Sequence, residues 1–113
     1  MKTLNSEARI ILLNLAPYGQ CITYKEMADR LGISQPPVIS SVAKILEKLI
    51  EEDVASKKPI LSSLVVQKGT KNIPRLGFFE KLHSLGVINI NEKSFDEAQW
   101  HAQQIDKLKS YYR

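Results

Sequence analysis

The chain has 113 residues, 43% hydrophobic and 25% charged, which suits one globular domain around one core and excludes a wholly disordered chain. Its single cysteine, Cys21, excludes an internal disulfide and fits a reducing compartment. The net charge is +4, unevenly placed: residues 1–53 hold six Lys/Arg against seven Asp/Glu, and residues 54–113 hold ten against five.

Leu4, Ala8, Ile11, Leu12 and Leu15 recur at the helix period. Asn5 or Ser6 is expected to cap that helix and Pro17 to end it. The apolar run Ile10–Leu13 is preceded by Glu7 and Arg9. It is too short and too charged for a signal peptide or a membrane span. A cytoplasmic protein is expected.

After the turn Tyr18-Gly19-Gln20 and a short extended pair, Thr23-Tyr24-Lys25-Glu26 forms a capping box. The helix it opens buries Met27, Ala28 and Leu31, and Gly32 suits its left-handed stop. Pro36 and Pro37 fit the first turn of a third helix, where a missing amide costs nothing. In that helix Val38, Ile39, Val42, Ile45, Leu46, Leu49 and Ile50 form an apolar stripe. Ser40, Ser41, Lys44, Glu47, Lys48 and Glu51 lie on the other side, and the helix frays near Glu52-Asp53. Two helices about a short glycine-bearing turn, about 23–52, match a helix-turn-helix.

Residues 60–67 read as a short strand, and Lys68-Gly69-Thr70-Lys71-Asn72 as a turn. Pro74 and Gly77 make the return irregular or an edge strand. A strand, a basic turn and a ragged return over about 60–77 make a wing. Phe78, Phe79, Leu82 and Leu85 space as a short helix ended by Gly86, and residues 87–90 read as extended. A second capping box, Ser94 to Glu97, opens a last helix over about 95–111. Phe95, Ala98, Ala102, Ile105 and Leu108 share its core face; Trp100, Gln104, Lys107 and Tyr111 form an aromatic stripe opposite. The fold class is therefore mainly α with a small β-wing: one winged helix-turn-helix domain with a C-terminal helix.

His83 and His101 lack a second ligand at metal spacing and read as partly exposed helix residues. Cys21 reads as a small buried hydrophobe. No glycine-rich phosphate loop and no nucleophile elbow occur. The expectation is a non-enzyme with no cofactor and no metal.

The stretch from Ile22 to about Gly77 resembles the DNA-binding domain of alkylguanine-DNA alkyltransferases and alkyltransferase-like proteins. Ile22-Thr23-Tyr24-Lys25-Glu26-Met27-Ala28 is similar to that family's Val-Thr-Tyr-Gly-Glu-Ile-Ala, and Pro37 to Leu46 to its recognition helix in apolar pattern. Ile60-Leu61-Ser62-Ser63-Leu64-Val65-Val66 is similar to its Ile-Pro-Cys-His-Arg-Val-Val. The family's reactive cysteine falls at Ser62, its histidine at Ser63 and its base-flipping arginine at Ser40. The resemblance thus implies the fold and a DNA-facing surface without alkyl transfer, which needs a thiolate and a base. Tyr24 matches the family's phosphate-side tyrosine.

Double-stranded DNA is the expected partner. Gln35, Ser40, Ser41 and Lys44 would face it from the recognition helix, and Lys68, Lys71 and Arg75 from the wing. Tyr24 and Lys25 would meet the backbone at the start of the second helix. The alternative is a protein-interaction module on the same fold, immunity- or antitoxin-like or a phage accessory protein. It would bind a partner, or a second copy, through Trp100, Gln104, Lys107 and Tyr111 on the C-terminal helix.

Overall fold

The structure, a computed structural model, describes residues 3–69 and 71–113. Thr70 of the expected basic turn lies outside the described residues. Five helices and one small parallel sheet make up the regular structure among the described residues: α1 (Leu4–Leu15), β1 (Ile22–Thr23), α2 (Tyr24–Leu31), α3 (Val38–Ala55), β2 (Val65–Val66), α4 (Leu76–Ser84) and α5 (Glu97–Tyr111).

The cap of α1 is Thr3, in a reciprocal box with Ser6, rather than Asn5 or Ser6. Pro17 sits in a 3-10 turn, Ala16–Tyr18, that closes the helix. Gly19 follows at φ 60°, and a Cβ there would meet Lys109 Cδ at 2.7 Å and Ile105 Cγ2 at 3.1 Å. Glycine is required here both by the left-handed turn and by the close passage of α5.

The Thr23–Glu26 box forms as expected, with Glu26 N–H donating to Thr23 Oγ1 at 3.1 Å and Thr23 N–H to Glu26 Oε1 at 3.0 Å. These bonds hold the Glu26 carboxyl below its ordinary range. The α2–α3 turn is longer than expected: Pro37 flanks α3 at its N-cap with an extended backbone, and both prolines precede the helix. The helix does not fray at Glu52-Asp53 but runs on to Ala55.

Residues 60–67 correct the expectation of a strand. Leu61–Leu64 is a 3-10 turn, and only Val65–Val66 forms a strand. This pair lies parallel to β1, with Ile22 opposite Val65 and Thr23 opposite Val66. The following loop carries no strand among its described residues; Gln67 N–H donating to Ile73 O at 2.9 Å closes it. Leu76 and Gly77, expected in a ragged return, begin α4. Residues 87–90 form no strand.

The core has two lobes on either side of α3. Ala8, Leu12, Met27, Val42, Leu46 and Leu49 belong to the larger lobe, which Leu108 of α5 completes. Ile50, Ile60, Phe78, Phe79 and Leu82 form the smaller. The apolar stripe of α3 thus serves both lobes, with Lys81 Nζ bridging to Glu51 Oε2 at 2.6 Å beside the second.

Helix α5 is rotated from the expected setting. Its cap is Asp96, which accepts from Gln99 N–H, while Ser94 Oγ donates to Glu92. Ala98 and Ala102 are exposed. His101, Gln104 and Leu108 are buried, and Trp100 packs on Phe78 and Phe79 at centroid distances of 5.9 and 6.1 Å. The expected core face is therefore partly outward. Trp100 and Gln104, expected on an outer stripe, face inward.

Candidate functional site

The region expected to face DNA is organised around Tyr24. Its ring is buried at the start of α2, and its hydroxyl accepts from Arg75 N–H at 3.1 Å. The Arg75 guanidinium stands 5.8 Å from the ring centroid, within range for a cation–π contact. Burial pushes the phenol above its ordinary pKa, against the lowering influence of Arg75. The Tyr24 oxygen thus ties the loop after β2 to α2, and the residue lines the hollows on both sides of it.

Two hollows open on either side of this pair. One, of about 570 Å³, is lined by Lys25, Glu26, Ile39, Lys68 and Arg75. The other, of about 310 Å³, is lined by Ser40, Lys44, Glu47, Arg75 and Phe78. Lys44, Lys68 and Arg75 have no carboxylate within 4.0 Å among the described residues, whereas Lys25 pairs with Asp29 at 3.4 Å. Lys68 is close enough to help depress the Glu26 carboxyl. The structure thus gathers Lys25, Ser40, Lys44, Lys68 and Arg75 about Tyr24. It does not gather Lys71, which lines a separate hollow with Leu76, Phe95, Asp96 and Glu97. Gln35 is exposed in the α2–α3 turn and lines neither hollow. Ser41 is half-buried, its hydroxyl donating to Pro37 O at 2.6 Å.

Behind this surface lies a polar cluster that sequence reasoning did not find. Five buried polar or charged side chains occur among the described residues: Asp53, Ser62, Ser63, His101 and Gln104. All belong to or touch the segment Ile60–Ser63. Ile60 N–H donates to Gln104 Oε1 at 2.9 Å, and Leu61 N–H to Asp53 Oδ2 at 3.2 Å. Ser62 Oγ donates to Leu46 O at 2.9 Å, and His101 Nε2 lies 2.8 Å from Ser63 O, where its N–H donates. Burial lowers the His101 pKa, so the ring is neutral at pH 7. Asp53 Oδ1 also accepts from Arg9 Nη1 at 2.9 Å, while Arg9 Nη2 bridges to Glu52 at 2.8 Å. Side chains from α3 and α5 thus take the backbone donors that a neighbouring strand would otherwise take, and this explains the 3-10 turn.

The two serines at the positions of the family's reactive pair are fully buried. Ser62 is engaged by Leu46, and Ser63 Oγ has no partner. Their surroundings are those of a structural clamp. A signal for it existed in Asp53, which continues the Leu46–Leu49–Ile50 stripe, and in His101 and Gln104, which sit at helical spacing from Leu108. A polar residue on an apolar stripe needs a buried partner.

His83 is half-buried, its Nδ1 accepting from Ile90 N–H at 3.3 Å. Cys21, expected inside, is exposed, though crowding by its neighbours raises the thiol pKa. His101, expected partly exposed, is buried. Among the described residues no three His, Cys, Asp or Glu side chains converge as a metal site would need, and no helix is long and apolar enough to cross a membrane. Of the four residues expected to bind a partner, Trp100 belongs to the interior. Gln104, largely buried, lines an outer groove with Lys107 and Tyr111. No family model, no curated protein and no solved structure matches the chain.

Proposed function

We propose that the chain is a non-catalytic winged-helix protein that binds double-stranded DNA through the surface around Tyr24 and Arg75. In this reading α2 and α3 are the helix-turn-helix, α3 enters the major groove, and the loop after β2 acts as a strandless wing. The observation that carries it is the convergence of Lys25, Lys44, Lys68 and Arg75 on the two hollows flanking Tyr24, three of them without a carboxylate partner. Cations so placed attract phosphates and release counterions. Ser40 is the polar side chain at the base-facing position, and a lone hydroxyl discriminates bases weakly. The surface therefore favours backbone positioning over sequence readout, and Glu26 and Glu47 keep its affinity modest.

The test is fluorescence anisotropy with a random-sequence duplex at about 50 and about 200 mM salt. Four phosphate contacts give a log–log salt slope near −3.6, and hence a loss of roughly a hundredfold between these conditions. Lys44→Glu with Lys68→Glu should abolish binding while the circular dichroism spectrum stays that of the parent. Absence of binding at low salt, or the same affinity in that double variant, defeats the proposal.

A further inference from the structure

A second concave surface, sharing no residue with the first, lies between the end of α3, residues 57–60 and the outer side of α5. Its volume is about 770 Å³. Val54, Pro59, Ile60 and Val87 line it with the ring of Tyr111. Val87 is 39% exposed and Tyr111 54%, so part of the apolar lining meets water. Lys57, Lys58 and Lys107 line the same groove against one acid, Asp106. None of the three lysines has a carboxylate within 4.0 Å among the described residues. Gln104 spends its carbonyl oxygen on Ile60 N–H and keeps its NH2 group as a donor at the groove.

Lys57 adds an independent sign. It takes the left-handed conformation, φ 57°, just past the end of α3, where its N–H donates to Val54 O and that of Lys58 to Asp53 O. Glycine or asparagine is favoured at such a helix stop, because a Cβ is strained there. This chain instead keeps a cationic side chain at the edge of the groove.

We propose that the groove docks a short acidic segment of a protein partner. Its apolar side chains would lie against Val54, Ile60, Val87 and Tyr111, and its carboxylates against Lys57, Lys58 and Lys107. Charge complementarity selects this occupant. A second copy related by a two-fold axis would bring the same three lysines against one another. A duplex could use the three lysines but would set its phosphates beside Asp106 and leave the apolar lining without a partner. From Gln104 to Tyr111 α5 rises about 10 Å, the length of roughly three extended residues, so the motif is short and its affinity modest.

The test titrates the 15N-labelled protein with pools of short peptides that alternate acidic with apolar, basic with apolar, or acidic with serine residues. The acidic–apolar pool should move the amide signals of Val54, Ile60, Val87 and Tyr111 and bind about tenfold or more tightly than the other two. Lys58→Glu with Lys107→Glu should weaken binding by about tenfold or more. If that variant fails to fold, Lys57→Gly decides: it should raise the unfolding midpoint, by releasing the strained backbone, and still weaken the peptide several-fold. Five results overturn the proposal. They are no response to any pool, equal binding of either control pool, unchanged affinity in Lys57→Gly, displacement of the peptide by a short duplex with the same amides moving, and concentration-dependent shifts of those amides without peptide. Apart from the duplex result, which would move DNA binding to the groove, none of them bears on the Tyr24 surface.

Discussion

Replacing Asp53 with asparagine keeps the size of the side chain and removes one of its two acceptor oxygens. Both oxygens are in use: Oδ1 accepts from Arg9 Nη1 at 2.9 Å and Oδ2 from Leu61 N–H at 3.2 Å. An amide in the same place must turn its NH2 group toward one of these donors. Leu61 N–H is a buried backbone donor with no route to water, and stranding it costs about 1–3 kcal/mol. Arg9 is 27% exposed along its side chain and also holds Glu52 at 2.8 Å, so it can turn outward. The asparagine carbonyl therefore faces Leu61, the Arg9 contact is lost, and the net loss is about 1.5–2.5 kcal/mol.

Arg9→Met should cost more, about 3–5 kcal/mol, because it leaves the charge of Asp53 buried without its partner. The order is the sharp part of the prediction: truncating the exposed partner hurts more than neutralising the buried one. Urea unfolding at pH 7 followed by circular dichroism gives both losses. Hydrogen exchange at the Leu61 amide adds a local readout, with protection retained in Asp53→Asn and lost in Asp53→Ala. A loss under about 0.5 kcal/mol for Asp53→Asn, or the reverse order, would refute the claim that this carboxylate holds the Ile60–Ser63 turn.

Four further outcomes follow from the same packing. Ser63→Ala should be neutral or stabilise by up to about 1 kcal/mol, since it removes a buried hydroxyl that has no partner; a clear fall in urea midpoint would reveal a partner. Stability should decline as pH falls below 6.5: the folded His101 pKa is lowered from that value by burial, so the unfolded chain binds the proton more readily. His101→Gln should flatten the slope of the unfolding free energy on the acid side of neutrality, and an unchanged slope would remove His101 as its source. Trp100→Ala should lower stability by about 2–4 kcal/mol, as befits a ring packed against Phe78 and Phe79; a loss near zero would return the tryptophan to the surface. Gly19→Ala should cost about 1–2 kcal/mol in thermal unfolding, chiefly through its left-handed backbone.

Helices α1, α2 and α3 were legible because local signals decide them. The Leu4–Leu15 period, the Thr23–Glu26 box and the Val42–Leu46–Leu49 stripe each act within a few residues. The segment 60–67 was not. Its apolar, β-branched composition suits a strand, but its conformation depends on Asp53 and Gln104, the latter 44 positions away in sequence. For α5, Ala98 and Ala102 suggested a buried side on hydropathy alone. Exposing an alanine costs little, whereas His101 and Gln104 can be buried because Ser63 O and Ile60 N–H take their polar ends, and Trp100 turns inward onto Phe78 and Phe79. The hydrogen bond of Arg75 N–H to the Tyr24 hydroxyl, across 51 positions, had no local signal either. In the segment 60–67 and in α5 a long-range polar partner overrode a local preference.

The clamped turn also lies between the two proposed surfaces. The chain enters it through Lys57–Ile60, which line the outer groove, and after it Val66, Gln67, Lys68 and Arg75 line a hollow beside Tyr24. Gln104 and Asp53 grip two successive amides, those of Ile60 and Leu61, where the first stretch passes into the turn. A backbone held from both flanking helices at this point cannot slide to favour one surface over the other. Occupancy of the groove should therefore leave the cations around Arg75 where they are, and the two surfaces should bind independently. A duplex affinity that changed on saturating the groove with peptide would mean that the turn shifts, and with it the grip of Asp53 on Leu61.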